Sequence, residues 1–119
     1  MATAIEFDVP GALRRVGGDR ELLARIIDFV AEDSPEFVRR METALQSGEY
    51  AEVERAAHSL KGLVSNLHCR AVQDKALEIE GLAHHLRDRA SIAAEIAALN
   101  ELTTQMMLKI DELRHSLAD

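Results

Sequence analysis

A chain of 119 residues with 47% hydrophobic content is long enough to bury one core and too short for two ordinary domains, so residues 1–119 are expected to form a single domain. Aromatic residues make up only 3%, Pro is limited to Pro10 and Pro35, and Ala, Leu, Ile and Glu abound, a profile that favours helix over sheet. The net charge of -7, from 14 basic and 21 acidic residues, argues against nucleic acid as a partner, and no apolar run approaches the ~20 residues needed to cross a bilayer.

Met1 to Phe7 reads as an extended lead-in, after which Asp8 offers an N-cap oxygen and Pro10 falls in the first helical turn. A short helix to about Val16 is closed by Gly17-Gly18. Asp19 caps a second helix whose apolar positions Leu22, Leu23, Ile26, Phe29 and Val30 recur at helical spacing. The pattern pauses at Asp33-Ser34-Pro35 and resumes through Phe37, Met41, Ala44 and Leu45, which allows one long kinked helix or two in tandem. Ser47-Gly48 ends that element.

A central helix follows from about Tyr50 to Leu67, with Val53, Ala57, Leu60, Val64 and Leu67 forming one apolar stripe. The next, about Arg70 to Leu86, is expected to bury Val72, Ala76, Ile79, Ala83 and Leu86. A polar break at Arg87 to Ala90 leads to Ser91 as a cap, and the last helix carries Ile92, Ile96, Leu99, Thr103, Met106, Ile110, Leu113 and Leu117. Short connections between long amphipathic helices make antiparallel neighbours. The expected fold is all-α, an antiparallel up-and-down four-helix bundle with a short extra N-terminal helix.

The stretch Ala56-Ala57-His58-Ser59-Leu60-Lys61-Gly62 carries the chemistry. Positions three and four apart share a helix face, so His58, Lys61 and Gly62 lie together, with Ser65 a turn further on. At about 100° per residue His58 stands roughly 160° from Leu60 around the axis, pointing to solvent. A neutral imidazole is nucleophilic near pH 7 and can carry a phosphoryl group, while Lys61 and Arg55 can balance anionic oxygens. Gly62 costs about 0.5–1 kcal/mol relative to Ala in a helix interior, so it serves either close helix packing or close approach of a phosphoryl group and a partner. The chain has no Gly-rich nucleotide loop and no carboxylate cluster for magnesium, so the phosphate is expected from another protein that carries its own metal.

At these residues the sequence resembles the histidine-containing phosphotransfer (HPt) domains of bacterial multistep phosphorelays. Their signature Ala-His-x-Leu-Lys-Gly stands in full as Ala57-His58-Ser59-Leu60-Lys61-Gly62. The likeness extends to Phe7-Asp8, Leu13, Gly18-Asp19, Phe29 before Pro35, Ala44-Leu45, Gly48, and Leu77 to Glu80. The resemblance implies His58 as phosphoacceptor, Lys61 as the phosphate-stabilising residue and Gly62 as the clearance position. It also implies receiver domains of response regulators or hybrid kinases as partners, with magnesium on the receiver and no cofactor on this chain. Arg55, Ser59, Leu63 and Ser65 are then the docking rim. Three positions depart from the family pattern: Leu63 and Val64 where small residues are common, and His68 where a glycine is usual. A non-glycine residue in a left-handed C-terminal position costs roughly 1–2 kcal/mol, and Asn66 can take a capping role instead.

Other clusters read more plainly. His84-His85 and His68-Cys69 point about 100° apart as helix neighbours and do not converge on a metal. Glu78 and Glu80 read as solvated charges or interhelix pairs. The single Cys69 and the acidic residues Glu6 and Asp8 near the N-terminus suggest a reducing, cytoplasmic setting, and no second apolar seam argues for more than a monomer. The competing expectations are a helical adaptor that docks a receiver or kinase without carrying phosphate, and a fragment of a histidine kinase.

Overall fold

Asp8 opens the first helix: its carboxylate accepts the N–H of Gly11 at 3.0 Å, and Pro10 sits in the first turn, where a missing N–H is harmless. In the computed structural model, which describes residues 5–118, this gives α1 over Val9–Arg15. Ile5 to Asp8 precede α1 without helix or strand; the start of the expected lead-in, Met1 to Ala4, lies outside the described residues. The N–H of Asp8 donates to the carbonyl of Leu67 at 3.1 Å, which ties α1 to the far end of the central helix.

Asp19 caps α2, Arg20–Gln46, by accepting the N–H of Leu22. Pro35 lies inside this helix, which continues through it as one element without recapping at Asp33 or Ser34. An interior proline costs about 3 kcal/mol. Burial on both sides of it, at Val30, Ala31, Val38 and Met41, offsets that cost. Ser34, fully buried beside it, leaves its hydroxyl without a partner among the described residues.

The remaining helices are α3 over Tyr50–Ser65, α4 over Arg70–His85 and α5 over Arg89–Ala118. Each of α2 to α5 packs on two neighbours, α3 on α2 and α4, α5 on α2 and α4, which closes a square bundle with α1 against α2. Paired residues run in opposite order along neighbours: Asp28 meets Arg114 and Gln46 meets Arg89 across α2 and α5. The bundle is therefore antiparallel. The expected stripes of α3 and α5 form its core, from Val53 to Leu67 and from Ile92 to Ile110, with Leu113 and Leu117 partly buried. No described helix is long and apolar enough to cross a membrane.

Four expectations need correction. Leu22 and Phe29 are exposed, because the buried face of α2 is the neighbouring row Leu23, Ile27, Val30, Ala31, Ser34, Val38 and Met41. Leu86 is 70% exposed: α4 ends at His85, and Leu86 is the C-cap that leads into the left-handed turn at Arg87, φ +48°, off the buried row of the helix. Ser91 is not the cap of α5, which starts two residues earlier; its hydroxyl instead donates to the carboxylate of Asp88. His68 does adopt the left-handed conformation, with φ +55°. The N–H of His68 donates to the carbonyl of Ser65 and that of Cys69 to the carbonyl of Val64, the two bonds of a Schellman ending. Gly48 makes the same ending for α2. Asn66 helps as well, since its side-chain amide donates to the carbonyl of Leu63 at 2.9 Å.

Candidate functional site

Burial on one side of α3 fixes what the other side presents. Val53, Ala57, Leu60 and Val64 are fully buried, so His58 projects outward with its side chain 66% exposed. It stands beside the seam with α4, whose own buried row is Val72, Ala76, Ile79 and Ala83. The residue after Ile79 therefore lies at the edge of that seam. That residue is Glu80.

One carboxylate of Glu80 joins the two chemical groups of α3. Its Oε2 lies 2.9 Å from Nδ1 of His58, and its Oε1 accepts from Nζ of Lys61 at 2.8 Å. Glu80 is 21% exposed and Lys61 28%, so neither is a freely solvated charge. Lys61, though on the face of α3 that carries the exposed His58, is itself largely covered beside α4, and its ammonium is paired. Burial of the Glu80 carboxyl opposes ionisation, but the hydrogen bonds from Lys61 and His58 outweigh it and hold its pKa below the ordinary glutamate value. The group is an anion at neutral pH. An ionised carboxylate only accepts, so this contact assigns the proton of a neutral imidazole to Nδ1 and the lone pair to Nε2.

The other predicted residues divide. A Cβ built on Gly62 meets nothing within 4 Å, so close helix packing does not explain the glycine, and open space borders the site there. Ser59 is exposed on the same helix. Arg55 is exposed too, but pairs with Glu52 at 2.9 Å, one turn away from His58. Leu63 is half-buried and packs against the core, and the Ser65 hydroxyl donates back to the carbonyl of Gly62 at 2.6 Å. These two are thus engaged within the chain, while His58, Lys61 and Gly62 form one face.

Two groups of the site are not marked as such by the sequence. Glu80 is legible there only as an interhelix charge, because its contact with His58 depends on the α3–α4 register. Arg15 of α1 reaches the carbonyl of Ser65 at 3.1 Å and brings a guanidinium to the end of α3. One turn along the seam from His58 a second pair repeats the pattern in reverse, with Nδ1 of His84 2.9 Å from Oε1 of Glu54. Among the described residues, no three His, Cys, Asp or Glu side chains are grouped so as to hold a metal ion.

Comparison with known proteins gives the family and the fold. The family model described as the Hpt domain matches residues 25–117. Among solved structures, the chain is similar to the histidine-containing phosphotransfer protein B of Pseudomonas aeruginosa PAO1, with a TM-score of 0.61 and 22% identity over 90% of this chain and 98% of that one. That likeness carries the fold. No curated protein sequence matches. With the family match spanning most of the bundle and the whole of α3 and α4, the chain belongs to the Hpt domain family, the histidine phosphotransfer modules of phosphorelays.

Proposed function

We propose that His58 is the phosphoacceptor of this module, taking a phosphoryl group from the aspartate of one receiver domain and returning it to another. The observation that carries the reading is the exposed imidazole whose Nδ1 is held by Glu80, leaving Nε2 as the nucleophile. Lys61 balances charge on the phosphoryl oxygens, and Gly62 leaves room for them and for the docked receiver. Ser59 and Arg55 line the docking rim, with Leu63 and Ser65 shaping it from within the chain. Magnesium is carried by the receiver, since the acyl phosphate forms there.

The module acts as a single domain and a monomer in the cytoplasm, and its partners are response regulators or hybrid kinases. Incubation with a phosphorylated receiver is expected to move label onto an acid-labile, base-stable site, and His58→Gln to abolish it. Label that persists on this variant would sink the assignment. The adaptor alternative expects binding without any labelled species, so the same experiment decides between the two.

A further inference from the structure

We propose that the receiver docks across the α3–α4 seam, with Leu77 of α4 as its apolar anchor and Gly81 as a second gap for its backbone, so that α4 sets which receivers exchange phosphate with His58. This rests on His58 being the acceptor. Neither residue touches the phosphoryl group, and both act on the affinity for the partner.

The placement follows from the register of two helices. On α4, Leu77, Glu80, Gly81 and His84 fall at i, i+3, i+4 and i+7 and share one face. Two of them reach α3, Glu80 to His58 and Lys61, and His84 to Glu54, so this face borders the row of α3 that carries the chemistry. One turn before Glu80 the polar pairs give way to Leu77, which is 53% exposed. A Cβ built on Gly81 meets nothing within 4 Å, as at Gly62. Both glycines stand in helix interiors, where glycine is less favourable than Ala, and close packing within the chain explains neither. They flank the His58–Glu80 contact, Gly62 one turn after His58 and Gly81 next to Glu80. Side chains are thus missing from both helices beside the imidazole, and a partner's backbone can approach it over either one.

Leu77 is also the exposed large hydrophobic residue best placed for this partner. Among the described residues the others are Leu22, Phe29, Leu86 and Leu108. Leu108 belongs to α5, which packs on α2 and α4 and not on α3. Leu86 lies past the last turn of α4. Leu22 and Phe29 lie in the first half of α2, and antiparallel pairing sets Phe29 about two and a half turns from the level of His58 on α3. The occupant is set by the chemistry, because transfer brings the receiver's aspartyl phosphate within bonding distance of Nε2. A partner that buries about 800 Å² of this chain covers a patch roughly 30 Å across, so a footprint centred on His58 includes Leu77 and meets Phe29 only near its edge. Binding energy concentrates near the centre of such a patch, where water is excluded. Leu77, with charged neighbours along the seam, is the apolar group at that centre.

The test compares wild type with Leu77→Ala, Gly81→Leu, Phe29→Ala and, as a control on the remote face of α5, Leu108→Ala, with circular dichroism as the check on folding. The probe is the receiver of the source organism that transfers fastest to wild type, phosphorylated beforehand with acetyl phosphate. Transfer is timed over a range of receiver concentrations, which separates KM from the rate at saturation. Leu77→Ala is expected to raise KM about fivefold, the effect of losing a half-exposed leucine from a docked surface. Gly81→Leu is expected to raise it by about tenfold through the side chain placed in the way, and both keep the saturating rate. Leu108→Ala is expected to match wild type. Unchanged KM in Leu77→Ala and Gly81→Leu, or a raised KM in Phe29→Ala alone, overturns docking across the seam and leaves His58 standing as acceptor. A fall in the saturating rate at unchanged KM overturns it too, since the residues then act on the chemistry. Label that survives in His58→Gln overturns the acceptor reading itself.

Discussion

Helix α4 carries an ion-pair cluster on each flank, and the two differ in what stands at the centre. Toward α3, one carboxylate, Glu80, is shared between His58 and Lys61. Toward α5, one ammonium, Lys75, is shared between Glu78 at 3.0 Å and Glu95 at 2.5 Å. Both central groups are largely covered, Glu80 at 21% and Lys75 at 23% exposure. The Lys75 cluster contains no nucleophile and serves only to pin two helices. In the Glu80 cluster the same economy of charge holds an exposed imidazole in one tautomer. What separates the two clusters is which residue the shared ion restrains, since the amount of pairing is alike.

Replacing the two lysines separates these roles most sharply. If Lys61 balances the phosphoryl oxygens as proposed, Lys61→Ala is expected to slow phosphoryl transfer by about tenfold or more. Lys75→Ala is expected to leave transfer unchanged and to cost about 1 kcal/mol of stability, read by urea unfolding. Equal transfer by wild type and Lys61→Ala would remove Lys61 from the mechanism. A slowed Lys75→Ala would make the two clusters functionally alike.

Gly62→Ala is expected to oppose stability and activity. The added methyl meets open space, so helix propensity alone raises stability by about 0.5–1 kcal/mol. Transfer from a receiver falls several-fold if that space is used by the partner. A variant that gains stability and keeps its transfer rate shows that the glycine gives no clearance.

Acid brings the two clusters together again. Glu80 has a folded pKa held below its ordinary value despite the opposing burial, and Glu95 likewise through its hydrogen bond from Lys75. A carboxyl with a depressed folded pKa contributes stability that is fully present above the unfolded value and is lost as pH falls through the folded one. Melting temperature is thus expected to decline in acid below the ordinary glutamate range, with a shallower decline in Glu80→Gln and in Glu95→Gln. Lys75, raised chiefly by its bond to Glu95, loses its contribution only in strong alkali, as pH rises through the folded value. The smallest effect belongs to the exposed His84–Glu54 pair. His84→Ala is expected to change stability by less than about 0.5 kcal/mol and transfer not at all.

The outward direction of His58 is legible in the sequence, because α3 carries an uninterrupted stripe from Val53 to Leu67 that leaves only one side for it to face. The stripe of α5 is as clear for the same reason. Where an apolar residue sits beside the true row, as Phe29 and Leu22 do on α2, the pattern alone does not say which row is buried. Leu86 continues the spacing of α4 one residue past His85, where the helix ends ahead of the left-handed turn at Arg87. Glu80 is hidden for a different reason: it meets His58 across a helix pair, and a periodicity within one helix carries no register between two.

The most direct measurement is NMR of the phosphorylated chain with nitrogen-labelled histidine, which detects phosphorus–nitrogen coupling at individual ring atoms. The expected result is coupling to Nε2 of His58, with Nδ1 of the same ring still protonated. Coupling to Nδ1 of His58, or to any ring nitrogen of His84, would contradict the assignment of the site.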